Sequence, residues 1–203
     1  MGSYNSLSLG RLATVVLATD ICDKQLKELR NNRWEKAFSG EEPQTEEEAF
    51  EAVNRKATIV LEHLIQASDV AHTMQHWHIY RKWNEAFFQE NMKAFKEGRA
   101  EKDPTEFWYK GELGFFDFYI IPLAKKLKDC GVFGVSSDEY LNYALSNRKE
   151  WELQGQDVVA TMSAKYLPAL KEKEDGDVDD LGWNIMMGFF VDLLRCIWRW
   201  FIA

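Results

Sequence analysis

The sequence predicts an all-α fold, and three observations lead to that prediction. Apolar residues recur at helical spacing along most of the chain. Runs in which β-branched residues alternate with polar ones are nearly absent, and so are the short turns that join hairpin strands. The chain has 203 residues, of which 46% are hydrophobic, so it is long enough and apolar enough to fold around a core of its own.

The first predicted helices are separated by a loop rich in turn-forming and acidic residues. One helix is expected over residues 9–29, with a break near Asp23, and the loop covers residues 38–46. Thr45 and Glu48 have the spacing of a capping box, which predicts that the next helix covers about residues 46–68. The apolar residues on one side of that helix are Ala49, Phe50, Val53, Ala57, Val60, Leu61 and Leu64.

Four further helices are expected after this one, by the same periodicity. The second long helix carries several aromatic residues, and the dipeptide Asp103-Pro104 predicts a loop after it. The four predicted ranges are 75–97, 111–128, 136–153 and 157–166.

The chain divides into three parts by composition. Residues 1–168 carry the helical pattern and are predicted to form one domain. Residues 169–180 are rich in acidic side chains, which indicates a solvated linker. Residues 181–203 are predicted to form an apolar amphipathic helix. The polar stripe of that helix consists of Gly188, Asp192, Arg195 and Arg199.

Three charged residues in the tail count against a membrane-spanning helix. A helix lying at a membrane surface, a helix packed on the domain and a tail foreign to the fold all remain open. The net charge of −8 argues against binding to a nucleic-acid polymer, which requires a basic face. The three separated cysteines, Cys22, Cys130 and Cys196, predict no disulfide framework, so a cytoplasmic location is expected. A homodimer is left open.

Residues 67–83 carry the densest set of chemically active side chains, with one carboxylate, three histidines and two tryptophans. Spacing alone nominates Asp69, His72 and His76 as metal ligands on one helical face. The alternative is a hydrogen-bonded aspartate beside exposed histidines. Such short patterns often occur without a metal site, so the alternative is the favoured interpretation of spacing alone.

A second pattern indicates a pocket for a flat ligand. Glu112 and Phe115 are three residues apart, so they share a helix face, where a carboxylate can bind the edge of a heteroaromatic ring and a phenyl group can stack on it. Phe87 and Phe88, on an earlier predicted helix, can supply the opposite wall. The alternative is an ordinary aromatic core.

Five motifs in one order carry a resemblance to a known family. They read VLATD, ASDV, YRKW, GELGFFDF and NRKEW. With them the chain resembles, over about residues 9–155, the C-terminal portion of the class I 3′,5′-cyclic nucleotide phosphodiesterase catalytic domain. The motifs begin at Val16, Ala67, Tyr80, Gly111 and Asn147.

The resemblance implies an all-α domain of the HD-superfamily type with two divalent metals, Zn²⁺ together with Mg²⁺ or Mn²⁺. Such a domain hydrolyses cAMP or cGMP to the 5′-monophosphate in signal transduction. Asp69 would be a metal ligand, and Thr19 would hold a metal-bound water. His72 takes a slot near the base rather than a place on the metal, which overrides the spacing argument. The remaining implied pocket residues are Tyr80, Phe87 with Phe88, Glu112 and Phe115.

Two departures from the family pattern affect these expectations. The family reads the purine with a glutamine, and this chain has Glu112, which only accepts hydrogen bonds when ionised. A slight preference for cGMP follows because guanine N1 carries a hydrogen, but burial that protonates Glu112 would restore a donor.

The second departure is that the family's other metal ligands and its general-acid histidine precede the VLATD helix, and the chain contains no His-Asp dipeptide. We therefore expect a domain truncated at its N-terminal side that is inactive alone. The alternative is a non-catalytic module that binds cyclic nucleotides, or a pseudo-enzyme.

Overall fold

The described residues form an all-α fold. The computed structural model describes residues 24–40, 42–131 and 133–169, and these contain no strand. The all-α prediction is therefore confirmed. The α-helices are α1 (Lys24–Phe38), α2 (Glu46–Asp69), α3 (Trp77–Lys96), α4 (Pro104–Phe115), α5 (Ile121–Asp129) and α6 (Ser137–Ala169). Short 3₁₀ turns cover Ala71–Met74 and Gly134–Ser136, and one π-helical turn covers Phe116–Ile120.

The core lies where α6 packs against α3, α4 and α5. Its largest buried side chains are aromatic, so much of the apolar area removed from water comes from a few rings. Helix α1 packs on α2, and α2 in turn contacts α5. The buried rings at the centre are those of Tyr80, Phe88, Trp108, Phe115, Phe116 and Trp151.

Helix α2 begins as the capping pattern predicts. The Thr45 hydroxyl oxygen accepts a hydrogen bond from the Glu48 N–H at 3.2 Å, and the Glu48 carboxylate accepts one from the Gln44 N–H at 2.8 Å. Both bonds satisfy backbone donors near the helix start, where no intrahelical partner exists. The predicted helix over 46–68 is confirmed to within one residue.

The apolar side of α2 is not the side that the described core buries. Phe50 and Val53 expose 71% and 67% of their surface, whereas Glu62 and His63 are buried. Helix α1 explains this arrangement because it supplies matching polar partners. A guanidinium nitrogen of Arg33 lies 2.9 Å from a Glu62 carboxylate oxygen, and the ring of Trp34 lies 4.6 Å from the ring of His63.

Helix α4 begins seven residues before the predicted start of that helix. Asp103-Pro104, predicted as a loop, is a helix N-terminus: the Asp103 carboxylate accepts from the Thr105 N–H at 2.9 Å, and Pro104 occupies the first turn. Proline suits that position because an N–H in the first helical turn has no intrahelical acceptor, so the absence of one costs no hydrogen bond. The prediction that the helix starts at residue 111 is therefore wrong.

The helical path continues past Phe115 through a π-helical turn into α5. The Ile121 N–H donates to the carbonyl of Phe116, five residues back, which is the hydrogen bond of a π-helix. Pro122 follows and has no N–H, so it cannot donate a hydrogen bond to a carbonyl of the preceding turn. This missing bond is a local cause of the widened turn.

The two helices predicted over 136–153 and 157–166 are one helix, α6. The gap expected between residues 153 and 157 is absent, and Trp151 packs over Gly155 at this point of the helix. A Cβ atom placed on Gly155 would lie 2.9 Å from the Trp151 ring, so only glycine leaves room for the ring.

Several predictions concern residues outside the described ranges. These are the VLATD helix with Thr19, the linker over 169–180 beyond Ala169, and the tail helix over 181–203. In the part of the chain that is described, no helix has the length and apolar character needed to span a bilayer.

Candidate functional site

The candidate site is centred on the carboxylate of Glu112, which is held by a chain of buried hydrogen bonds. The Tyr80 hydroxyl on α3 lies 2.6 Å from Glu112 Oε2 on α4. Asn84, one turn along α3, donates from Nδ2 to the Tyr80 oxygen at 3.4 Å. The indole N–H of Trp108 donates to Asn84 Oδ1 at 3.3 Å. All four side chains are buried.

The direction of this chain is set at the Trp108 end. An indole N–H can only donate, so Asn84 must turn its oxygen towards Trp108 and its amide nitrogen towards Tyr80. The Tyr80 oxygen then receives a hydrogen and directs its own hydrogen to Glu112. The network therefore makes Glu112 Oε2 a hydrogen-bond acceptor.

Burial changes the protonation of this pair. Desolvation raises the pKa of Glu112 to about 7, and the bonds from Tyr80 and Asn84 oppose the rise because they stabilise the carboxylate. Burial, together with the nearby carboxylate, raises the pKa of Tyr80 well above its ordinary value, so Tyr80 keeps its hydrogen. Glu112 is thus divided between its neutral and ionised forms near pH 7.

The predicted aromatic walls lie in the same core as Glu112. Phe87 and Phe88 both contact Trp108, with ring centroids 5.2 and 5.1 Å apart. Phe115 stacks on Tyr119 at 5.6 Å, with ring planes 15° apart. The aromatic core that the sequence left open is therefore present. Phe115 is buried in it, and Tyr119 covers one face of its ring.

Asp69 is the last residue of α2, and its side chain is exposed rather than enclosed in a cavity. Its protein-facing side is desolvated enough to raise the pKa of the carboxyl above its ordinary value. Its charge also reaches Tyr119, whose pKa is raised first by burial and then by this carboxylate. Asp69 is thus accessible to an ion, and it lies near the ring that stacks on Phe115.

The histidines near Asp69 do not complete a metal site. His72 is partly buried beside Trp83, with ring centroids 6.0 Å apart, and burial lowers its pKa to about 4. The His76 Nε2 atom lies 2.9 Å from the Tyr143 hydroxyl. Over the described ranges no three histidine, cysteine, aspartate or glutamate side chains converge. The ligand set nominated by spacing is therefore wrong, and the described residues do not fit a two-metal centre, to which they would contribute Asp69 alone.

The sequence reasoning missed Asn84 and Trp108, although a signal for both was present. Asn84 follows Tyr80 by four residues, and Trp108 precedes Glu112 by four. Each pair therefore shares a helix face, and polar side chains next to a buried carboxylate are the ones expected to bond it.

The comparisons with known proteins give one result. The family model described as 3′5′-cyclic nucleotide phosphodiesterase matches residues 8–133. Searches of curated proteins and of solved structures gave no match. The matched range covers more than half of the chain and includes Asp69, Tyr80 and Glu112 with their motifs. Members of that family hydrolyse cyclic nucleotides and generally use divalent metals. The chain belongs to the 3′,5′-cyclic nucleotide phosphodiesterase family.

Proposed function

We propose that the intact protein hydrolyses a 3′,5′-cyclic nucleotide to its 5′-monophosphate in second-messenger signalling, and that this chain supplies the side of the site that binds the base. The observation that carries the proposal is the buried Glu112 carboxylate, fixed by Tyr80, at the position where the family resemblance expects the purine to be read. Metal-dependent chemistry requires ligands besides Asp69, so catalysis needs groups outside the described residues.

The hydrogen-bond direction in the Glu112 network favours guanine. The Watson–Crick edge of guanine presents two adjacent donors, N1–H and the exocyclic amine, and an ionised carboxylate is an acceptor. Adenine offers one donor beside the N1 lone pair, which repels a carboxylate. We therefore propose that cGMP is preferred to cAMP when Glu112 is ionised.

The remaining contacts follow the aromatic arrangement. Phe115 would stack on the purine after Tyr119 is displaced, and Phe87 with Phe88 would form the opposite wall beside Trp108. His72 would lie near the base or sugar. Apolar walls with one polar group at the edge of the base are the usual composition of a small-molecule site.

The test uses the purified chain with Zn²⁺ and Mg²⁺. We expect calorimetry to show cGMP binding in preference to cAMP, and we expect no hydrolysis of either nucleotide. The matched variant Glu112→Gln restores a side chain that both donates and accepts, so it should narrow the difference between the two affinities. Turnover by the chain alone would contradict the missing-ligand argument, and absence of binding to either nucleotide would contradict the base site.

The second candidate is a non-catalytic nucleotide-binding module. The observation that favours it is a complete hydrogen-bond network at Glu112 without a converging set of metal ligands in the described residues. Metal dependence separates the two candidates. Nucleotide affinity that is the same with and without Zn²⁺ and Mg²⁺ supports the binding module, whereas affinity that rises with metal supports the phosphodiesterase site. A homodimer and a membrane contact through residues 181–203 remain predictions.

A further inference from the structure

The NRKEW motif on α6 has a structural role that the proposed function does not use. Its spacing places Asn147, Arg148 and Trp151 within about one helical turn, and each binds a different segment around the candidate site. Arg148 reaches the Asp117 carboxylate in the π-helical turn after Phe115, with nitrogen–oxygen distances of 2.9 and 3.1 Å. Trp151 donates from its indole nitrogen to the Tyr109 carbonyl at 3.0 Å.

Asn147 makes the most specific of these contacts. Its side-chain nitrogen donates to two backbone carbonyls of the segment between α2 and α3, that of Thr73 at 2.9 Å and that of Gln75 at 2.7 Å. Asn147 and Thr73 are each 1% exposed, so neither group can exchange its partner for water. Both amide hydrogens of one side chain are thereby used to hold one short segment, which we call the 71–76 turn.

The 71–76 turn is also held by Met74, which is 2% exposed within the core, and by His76, whose ring bonds the Tyr143 hydroxyl. The Thr73 hydroxyl and the Thr73 N–H both bond the Val70 carbonyl, at 2.7 and 2.9 Å, which closes the turn locally but does not attach it to the core. Asn147, more than 70 residues away in sequence, supplies the side-chain bonds that attach the Thr73 and Gln75 carbonyls to α6. His72 directly precedes Thr73, so the position of its ring depends on where that carbonyl is held.

We propose that Asn147 is a positioning residue of the nucleotide site, whose amide fixes the 71–76 turn and so presents His72 to the ligand. This inference rests on the proposed function for the statement that His72 meets nucleotide. The contact between Asn147 and the turn stands without it.

A second buried asparagine provides the comparison. Asn91 is 7% exposed, and its amide donates to the Phe87 carbonyl, one turn back in its own helix, at 2.9 Å. Removing that amide also deletes a buried hydrogen bond, but it detaches no separate segment. A loss of stability that Asn147→Ala and Asn91→Ala share is therefore the general cost of removing a buried amide. An effect on His72 that appears only in Asn147→Ala is caused by release of the 71–76 turn.

The first experiment measures cGMP affinity of the full chain by calorimetry for Asn147→Ala, His72→Ala, the double variant and Asn91→Ala. We expect each of the first two changes to weaken binding by about 10-fold and the double variant to be no weaker than His72→Ala, since both act through one contact. Asn91→Ala should stay within about twofold of the unchanged protein. Full additivity in the double variant, or unchanged affinity in Asn147→Ala, would overturn the proposal.

The second experiment needs no nucleotide, so it separates failure of this inference from failure of the proposed function. The ring resonances of His72 are followed by NMR during an acid titration. In Asn147→Ala the loosened turn should hydrate the ring, shift its resonances and raise its titration midpoint from about 4 towards the ordinary value. Asn91→Ala should leave the His72 resonances in place. If cGMP does not bind at all, the proposed function fails, and His72 resonances that are identical in Asn147→Ala would then overturn the positioning role as well.

Discussion

At the scale of single residues, the decisive feature is a carboxylate that is buried without a cationic partner among the residues that the structure describes. Glu112 is 4% exposed, and its hydrogen-bond donors Tyr80 and Asn84 are neutral. Taking an ionised carboxylate out of water is costly, and neutral donors offset only part of that cost. The raised pKa of Glu112 is the consequence, and we predict that it makes both the stability and the ligand preference of the chain depend on pH near neutrality.

We predict that Glu112→Gln stabilises the protein above pH 7. Between the ordinary pKa of 4.5 and the raised pKa of about 7, the folded protein binds more protons at this site than the unfolded chain, so stability falls as pH rises. Because the Glu112 carboxyl is fully buried, its titration lowers the free energy of unfolding by about 3 kcal/mol across that pH window, at 1.36 kcal/mol per pKa unit. Denaturation midpoints of the two proteins should coincide near pH 4 and diverge by pH 8, in favour of the variant.

Comparison with the variant is needed because two histidines act in the opposite direction. Burial lowers the pKa of both His63 and His72 to about 4, so their contributions make stability rise with pH between about 4 and the ordinary value of 6.5. Both histidines are present in either protein, so their effect cancels in the difference. If the difference in stability between the unchanged protein and Glu112→Gln does not vary with pH, the Glu112 carboxyl titrates normally and the prediction is wrong.

At the scale of single elements, α2 shows that the apolar side of a helix can lie away from the described core. Its buried side includes the polar Glu62 and His63 beside Ile59, because α1 brings Arg33 to Glu62 and Trp34 to His63. Hydrophobic periodicity reports which residues share a face, but it does not report which face the neighbours cover.

The exposure pattern of α2 predicts that substitution of two apolar residues changes the stability of the protein to very different extents. Phe50→Ser should change the free energy of unfolding by no more than about 0.5 kcal/mol, because Phe50 is 71% exposed. Ile59→Ala should cost about 2–5 kcal/mol, because Ile59 has no exposed surface and its truncation leaves a cavity. Urea unfolding of both variants checks the pair, and a large loss in Phe50→Ser would place its face against another part of the protein.

Helix α6 gives a second prediction at this scale, with a matched control. Gly155→Ala should destabilise the protein by about 1–3 kcal/mol, because the added methyl group meets the buried Trp151 ring. Gly111→Ala should stabilise it by up to about 1 kcal/mol, because the nearest atom, on Phe107, is 3.7 Å away and alanine favours the helix. Thermal unfolding compares the two, and equal effects would contradict the packing of Trp151 over Gly155.

At the scale of the whole molecule, local sequence signals predicted the presence of helices better than the residues at which they begin and end. The Thr45–Glu48 capping pattern gave the start of α2 because the bonds that form it lie within a few residues. The start of α4 and the continuity of α6 were missed because Pro104 and Gly155 are ambiguous by themselves. Pro104 both begins helices and breaks them, and Gly155 is tolerated through Trp151, which periodicity does not show.

The candidate site was likewise predicted only in part, because sequence patterns report local spacing and not contacts between distant residues. The sequence grouped Tyr80, Glu112 and the aromatic walls, and the structure brings them into one core, while their role in binding stays a prediction. Asn84 and Asn147 were not assigned roles. Asn84 accepts from Trp108 on another helix, and Asn147 binds backbone carbonyls of the 71–76 turn, which are more than 70 residues away. The metal set proposed from spacing failed because the helix ends at Asp69, so His72 and His76 do not continue its face.

The central claim is that the buried Glu112 carboxyl reads the edge of the purine, and its pH dependence offers the most direct test. The ratio of cGMP affinity to cAMP affinity is measured by calorimetry at pH 6 and pH 8 for the unchanged chain and for Glu112→Gln. The ionised carboxylate accepts from guanine, whereas the protonated form also donates to adenine N1, so the ratio should rise several-fold between pH 6 and pH 8 and stay constant in the variant. A ratio that does not change with pH in the unchanged chain, or that changes equally in Glu112→Gln, would contradict the claim.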